Sequence, residues 1–158
     1  VRSDAGEGMR ITVLLPARPG APAAASQRAG PDVAQERSVL LVEDDATTRV
    51  ATTRILERGG LVVLSAKDGA EAVEIFRRHQ DVVACVVLDL ALPRMSGEEV
   101  LAAVRGLSPS VPVVVSSGFS ERQARRRVES LRPAAYLQKP YKSEALVELL
   151  RSILELGD

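Results

Sequence analysis

Three acids stand in a row, Glu43, Asp44 and Asp45, directly behind the apolar run "VLLV" at 39–42. Like charges at the end of a buried strand repel one another, and the arrangement is tolerable where a cation sits among them. A fourth acid, Asp89, closes another apolar run at 83–88. Cys85 and His79 are the only cysteine and histidine, so the donors on offer are carboxylate oxygens. Such a set suits Mg²⁺, which keeps several waters and takes one or two carboxylates. Two more apolar runs end in useful groups, Ser117 behind "PVVVS" at 112–116 and Lys139 in the dipeptide "KP". A hydroxyl and an ammonium facing a metal-bound carboxylate suit one task, holding the oxygens of a phosphoryl group as it passes to that carboxylate. Singly these are ordinary residues. An acid at a strand end is commonly a solvated loop charge, and a Lys-Pro pair alone says little. Their weight comes from occurring together, each at the end of a different apolar run.

Those ends must be brought to one edge, and the chain carries a pattern that does so. Strand candidates fall at 39–42, 61–64, 83–88, 112–116 and 134–138, short and rich in valine. Continuous apolar runs predict strands covered on both faces. Helix-length segments separate them. Leu146, Leu149, Leu150, Ile153 and Leu154 share one face of the last. Gly59 and Gly60 are expected to end the first helix, Gly106 the third, and Ser143 to cap the last. The segment "SERQARRRVESLR" reads as a helix with a thin apolar face of Ala124, Val128 and Leu131. Five β-then-α units predict an α/β fold, a doubly wound parallel sheet with helices on both sides. In a flavodoxin-like sheet ordered 2-1-3-4-5 the ligand crevice opens at the carboxyl ends of strands 1 and 3, where Glu43, Asp44 and Asp89 stand.

Composition narrows the alternatives. Lys plus Arg equal Asp plus Glu at 21 each, so a nucleic-acid binder driven by bulk charge is not expected. No apolar run is long enough for a membrane span, and no signal peptide is evident, so membrane contact within the chain is not expected. Cys85 sits in an apolar run and reads as a buried, inert thiol, while His79 in "FRRHQ" reads as a surface residue. Residues 17–36, rich in Pro, Ala and Gly, read as a flexible linker between a short N-terminal piece, 1–16, and a compact domain, 37–158.

The motifs "VLLVEDD", "VVLDLALPRMSG", "VPVVVSSGFS" and "YLQKPY", in that order over roughly residues 38 to 156, resemble the receiver domain of two-component response regulators. The resemblance implies that Asp89 accepts a phosphoryl group from the phosphohistidine of a histidine kinase. It implies that Asp44 binds Mg²⁺ directly, Glu43 largely through water, and the Ala91 backbone carbonyl as a further ligand. Ser117 and Lys139 would hold the phosphoryl oxygens, and Tyr136 falls at the family's switch aromatic, paired in that role with Ser117. Glu43 stands where many members have Asp, and Ser117 where many have Thr. The stretch "VRSDAGEGMRITVLLP" resembles the closing strand of a histidine-kinase ATP-binding domain, which implies the C-terminal portion of a hybrid sensor kinase. The donor kinase would then belong to the same polypeptide or to another, a downstream phosphotransfer protein is a possible recipient, and the location would be cytoplasmic. Two other functions compete. An aspartyl-nucleophile phosphatase would need a second acid where Ala91 stands, and a pseudo-receiver would lack Asp89 or Lys139.

Overall fold

A computed structural model of the chain describes residues 37–156. The expectations for residues 1–16 and 17–36 lie outside the described residues. Five strands alternate with five helices: β1 (Ser38–Val42), α1 (Ala46–Arg58), β2 (Val62–Ala66), α2 (Gly69–Arg78), β3 (Val83–Asp89), α3 (Gly97–Leu107), β4 (Val113–Ser117), α4 (Glu121–Val128), β5 (Ala135–Gln138) and α5 (Ser143–Leu156). All strand pairings are parallel, in the order β2-β1-β3-β4-β5.

Side chains alternate across a strand, and this sheet sorts them into two cores. Leu40, Val42, Val86, Leu88, Val113 and Val115 face α2, α3 and α4, where they meet Phe76, Leu101 and Val128. Val39, Leu41, Cys85, Val87 and Val114 face α1 and α5, where they meet Leu56, Leu146 and Leu150. Both layers are mainly aliphatic, and among the described residues Phe76 is the one fully buried aromatic. A buried Leu or Phe contributes about 1.5–3 kcal/mol relative to exposure, so the paired layers are the main source of stability.

The predicted strands all form, but two are less covered than their apolar runs suggested. β2 and β5 are the sheet edges, and of their residues only Ala66 is fully buried. Burial of a strand depends on its position in the sheet, which a local run of valines does not encode. The first helix ends as expected. The N–H of Gly60 reaches the Glu57 carbonyl, that of Leu61 reaches the Leu56 carbonyl, and Gly60 has a φ of 79°. This is a Schellman ending, in which the left-handed position favours glycine. Gly106 does not end α3: it lies inside the last turn, and the chain leaves the helix at Ser108. Ser143 is the first residue of α5 rather than its cap, since the Leu146 N–H closes onto the Lys142 carbonyl.

The thin fourth helix is shorter than its sequence pattern. It stops at Val128 and passes into a 3-10 turn, Glu129–Leu131. The Arg105 guanidinium on α3 donates to the carbonyls of Val111, Leu131 and Arg132, tying that turn to the start of β4. Only Ala124 and Val128 anchor α4 in the core. Arginines supply the rest of its attachment: Arg127 pairs with Glu98 on α3 and lies over the Phe119 ring, and Arg125 lies over the Tyr136 ring at 4.6 Å.

Candidate phosphoacceptor and metal site

Strand register assembles the site. Val42 pairs with Leu88, Asp89 with Ser116, and Ser117 with Gln138. The residues one step beyond these pairs, Glu43 and Lys139, therefore meet Asp89 at the carboxyl edge of the sheet. Glu43 extends β1 by one bond, its N–H donating to the Ala66 carbonyl at 3.1 Å.

The Lys139 ammonium joins two carboxylates. Its Nζ donates to Asp89 Oδ2 at 2.6 Å and to Glu43 Oε2 at 2.7 Å, with both acid side chains only 6% exposed. The other Asp89 oxygen, Oδ1, accepts the Ala91 N–H at 2.9 Å. Both oxygens of Asp89 are thus oriented before any ligand arrives. The Lys139–Pro140 peptide is cis.

α3 crowds this position from behind. A Cβ on Gly97 would lie 2.7 Å from the Asp89 carbonyl oxygen and 2.7 Å from Leu90 Cα, so the helix can start here only with glycine. The start is sealed by a capping box, in which Ser96 Oγ accepts the Glu99 N–H and the Glu99 carboxylate accepts from the Ser96 N–H.

Asp44 completes the acid cluster from the exposed side. Carboxylate oxygens of Glu43, Asp44 and Asp89 all lie within 4.8 Å of one another. Three carboxylates face one ammonium, so negative charge is left over. Burial pushes the Glu43 carboxyl above its ordinary value, and the hydrogen bond and charge of Lys139 only partly offset that. Burial pulls the Lys139 ammonium down, but the hydrogen bonds to Asp89 and Glu43 outweigh it and leave its pKa raised. A cluster of hard oxygen donors, two of them buried and short of positive charge, fits a small divalent cation such as Mg²⁺.

Asp45, the third acid of the opening run, stands apart from the cluster. Its carboxylate accepts the Thr48 N–H at 2.7 Å and caps α1, and that hydrogen bond lowers its pKa. The Asp-x-x-Thr pattern ahead of a helix was the readable signal for it. Arg49, which grips the loop backbone, carried no comparable signal.

Ser117 and Tyr136 lie on the other side of the sheet. Ser117 is buried and follows Val115 in the alternation that faces α4, and Tyr136 packs on the same core. The Ser117 hydroxyl accepts the Phe119 N–H at 3.0 Å, at the entrance to α4. Tyr136 is half-buried beneath Arg125, and burial raises its phenol pKa. Ser116, the register partner of Asp89, instead places its hydroxyl 3.5 Å from the Tyr141 hydroxyl. For Ala91 the structure shows the N–H held by Asp89.

Comparison with known proteins agrees with this architecture. The chain is 29% identical to a sensor kinase, CckA of Brucella abortus (strain 2308), in an alignment covering 99% of this chain and 18% of that protein. It is 33% identical to the transcriptional regulatory protein PdtaR of Mycobacterium tuberculosis (strain CDC 1551 / Oshkosh), covering 73% of this chain and 56% of that protein. The chain thus spans under a fifth of one relative and about half of the other. Among solved structures, a chain of the CheX-CheY-BeF3-Mg+2 complex from Borrelia burgdorferi superposes with a TM-score of 0.69 at 24% identity, covering 74% of this chain and 88% of that one. The family model described as the response regulator receiver domain matches residues 39–151. With five strands in the order this fold requires and a match running through all but the last turn of the final helix, the chain belongs to the response regulator receiver domain family.

Proposed function

We propose that this receiver takes a phosphoryl group from a phosphohistidine onto Asp89 with Mg²⁺ bound beside it, and that the modification alters the face formed by α4, β5 and α5. The observation that carries the reading is the Lys139 ammonium bridging Asp89 and Glu43 at 2.6 and 2.7 Å. In the transfer, an Asp89 carboxylate oxygen forms a bond to phosphorus as the phosphorus–nitrogen bond to the donor imidazole breaks. The bond electrons leave with the imidazole. Lys139 already lies against the oxygen of Asp89, where it would counter charge on the incoming group, and Ser117 would supply a hydrogen bond to a second oxygen. The Ala91 N–H keeps the carboxylate from rotating away. Asp44, Asp89, the Ala91 carbonyl and, through water, Glu43 would hold Mg²⁺, whose chemistry when bound is to neutralise phosphoryl oxygens.

We infer further that residues 1–16 are the end of a kinase ATP-binding domain and 17–36 a linker to the receiver, which makes a hybrid sensor kinase the parent. The alignment to CckA, running over 99% of the chain, supports this. The donor histidine would then lie in the same polypeptide or in a partner kinase, with a downstream phosphotransfer protein as the next recipient. Among the described residues no helix is long and apolar enough to cross a membrane; a cytoplasmic placement is part of the proposal. The sequence upstream of Val1 decides the parentage: a dimerising helix bearing histidine supports it, and its absence refutes it.

Acetyl phosphate with Mg²⁺ tests the central claim. Intact mass is expected to rise by one phosphoryl group, and Asp89→Asn is expected to abolish the gain. Undiminished labelling of that variant at another residue would overturn the assignment.

A further inference from the structure

We propose that Arg49 is a positioning residue for the metal-binding acids, acting through their backbone rather than through its charge. The proposal rests on the Mg²⁺ reading above.

Arg49 lies in the first turn of α1, its own N–H closing onto the Asp45 carbonyl at 2.9 Å. Its side chain folds back over the β1–α1 loop. One nitrogen, Nη1, donates to the Glu43 carbonyl at 2.8 Å and to the Asp44 carbonyl at 3.1 Å. Among the described residues its hydrogen bonds go to these two backbone oxygens and to neither acid's carboxylate.

A carbonyl oxygen's direction reports the ψ of its own residue. Fixing two consecutive carbonyls on one donor therefore fixes how the peptide units of Glu43 and Asp44 turn. The loop's other ends are already tied, Glu43 through its N–H to Ala66 and Asp45 through its cap on Thr48. Asp44 sits between these ties. Its carboxylate is exposed and has no hydrogen-bond partner among the described residues, so its aim at the cluster depends on its backbone. Arg49 is the side chain that sets that backbone.

Charge and geometry make opposite predictions here, which allows a decisive test. A guanidinium near a cation site repels the cation, so by charge alone its removal would tighten Mg²⁺ binding. As a positioning group its removal loosens the acids, and supporting groups of this kind are worth about 10–100-fold in metal affinity.

The experiment is Mg²⁺ titration followed by amide NMR of the full chain, with wild type, Arg49→Gln, Arg49→Lys and Arg54→Gln. Arg54 is an exposed charge on the same helix and controls for a change of net charge. Arg49→Gln is expected to weaken Mg²⁺ binding about tenfold and to shift the metal-free amide resonances of Glu43, Asp44 and Asp45. Arg49→Lys, which keeps the charge and a single donor group, is expected to fold and to recover part of the affinity, while Arg54→Gln matches wild type. Arg49→Gln binding as tightly as wild type, or more tightly, would overturn the proposal while leaving the Mg²⁺ reading intact. Arg49→Lys no better than Arg49→Gln, with both folded, would also overturn it. A wild-type chain that does not bind Mg²⁺ overturns both readings together.

Discussion

At the scale of single residues, Glu43 holds its place against its own stability. Its folded-state pKa lies above the ordinary glutamate value, chiefly because it is buried. A raised folded pKa means the folded protein gains most from Glu43 below about pH 4.5 and loses that gain as pH climbs through the folded value. Near neutrality, without metal, the ionised side chain is therefore a liability. Glu43→Gln is expected to melt higher than wild type at pH 7 in EDTA, the gap narrowing toward pH 4, and to gain less than wild type on adding Mg²⁺. Thermal melts across pH would show it, and a lower melting point for the variant at pH 7 would mean the Lys139 contact outweighs the burial. Cys85 is the opposite kind of buried group: burial pushes its thiol up to about 12, so it stays protonated and inert, as its apolar run implied. The residues legible in sequence were those at the ends of apolar runs, because the end of a strand is where its apolar pattern stops. Asp45 and Arg49 act on the backbone of their own loop, and hydrophobic pattern does not report backbone contacts.

Among the elements, α3 has the tightest fit to the site. Gly97 lets its first turn press on the main chain of Asp89 and Leu90. Both atoms a new Cβ would meet most closely belong to backbone, so neither can swing aside. Gly97→Ala is expected to lose about 1–3 kcal/mol of stability, as overpacked cores do, and to accept phosphoryl groups from acetyl phosphate more slowly because Asp89 is displaced. Urea unfolding and the labelling rate measure the two effects, and an unchanged midpoint would show that α3 moves freely. α4 is the contrasting element, with two buried side chains and attachment through arginines at its surface. Its thin apolar face was visible in sequence. Its early end at Val128 was not, because the 3-10 turn is held by Arg105 from another helix. The edge positions of β2 and β5 followed from the order expected from the sequence, but their continuous apolar runs concealed how exposed those edges are.

For the whole molecule, the sheet divides the work. Glu43, Asp89 and Lys139 continue the alternation that faces α1 and α5, while Ser117 and Tyr136 continue the one that faces α4. Ser117 is the group proposed to serve both sides, and in this structure its hydroxyl is engaged by the Phe119 N–H. A phosphoryl group on Asp89 would compete for that hydroxyl, free the entrance of α4 and leave Tyr136 room to turn from beneath Arg125. Ser117→Ala is accordingly expected to remain phosphorylatable at Asp89 and to lose most of the amide shift response to beryllofluoride across residues 119–141. A full wild-type response in that variant would refute this route. The overall topology was legible because five valine-rich runs and their helical spacers leave few ways to wind. Which side of the sheet each group occupies followed only once the register was known. That partition bears on how such a domain diverges after gene duplication. On the proposed function, substitutions among the groups at the carboxyl edge of the sheet would alter phosphoryl acceptance, and substitutions on the α4, β5 and α5 face would alter output, with few positions serving both. Two duplicates could then drift apart in one property at a time, and selecting a mutant library separately for phosphoryl acceptance and for output is expected to recover two sets of positions that meet mainly at Ser117.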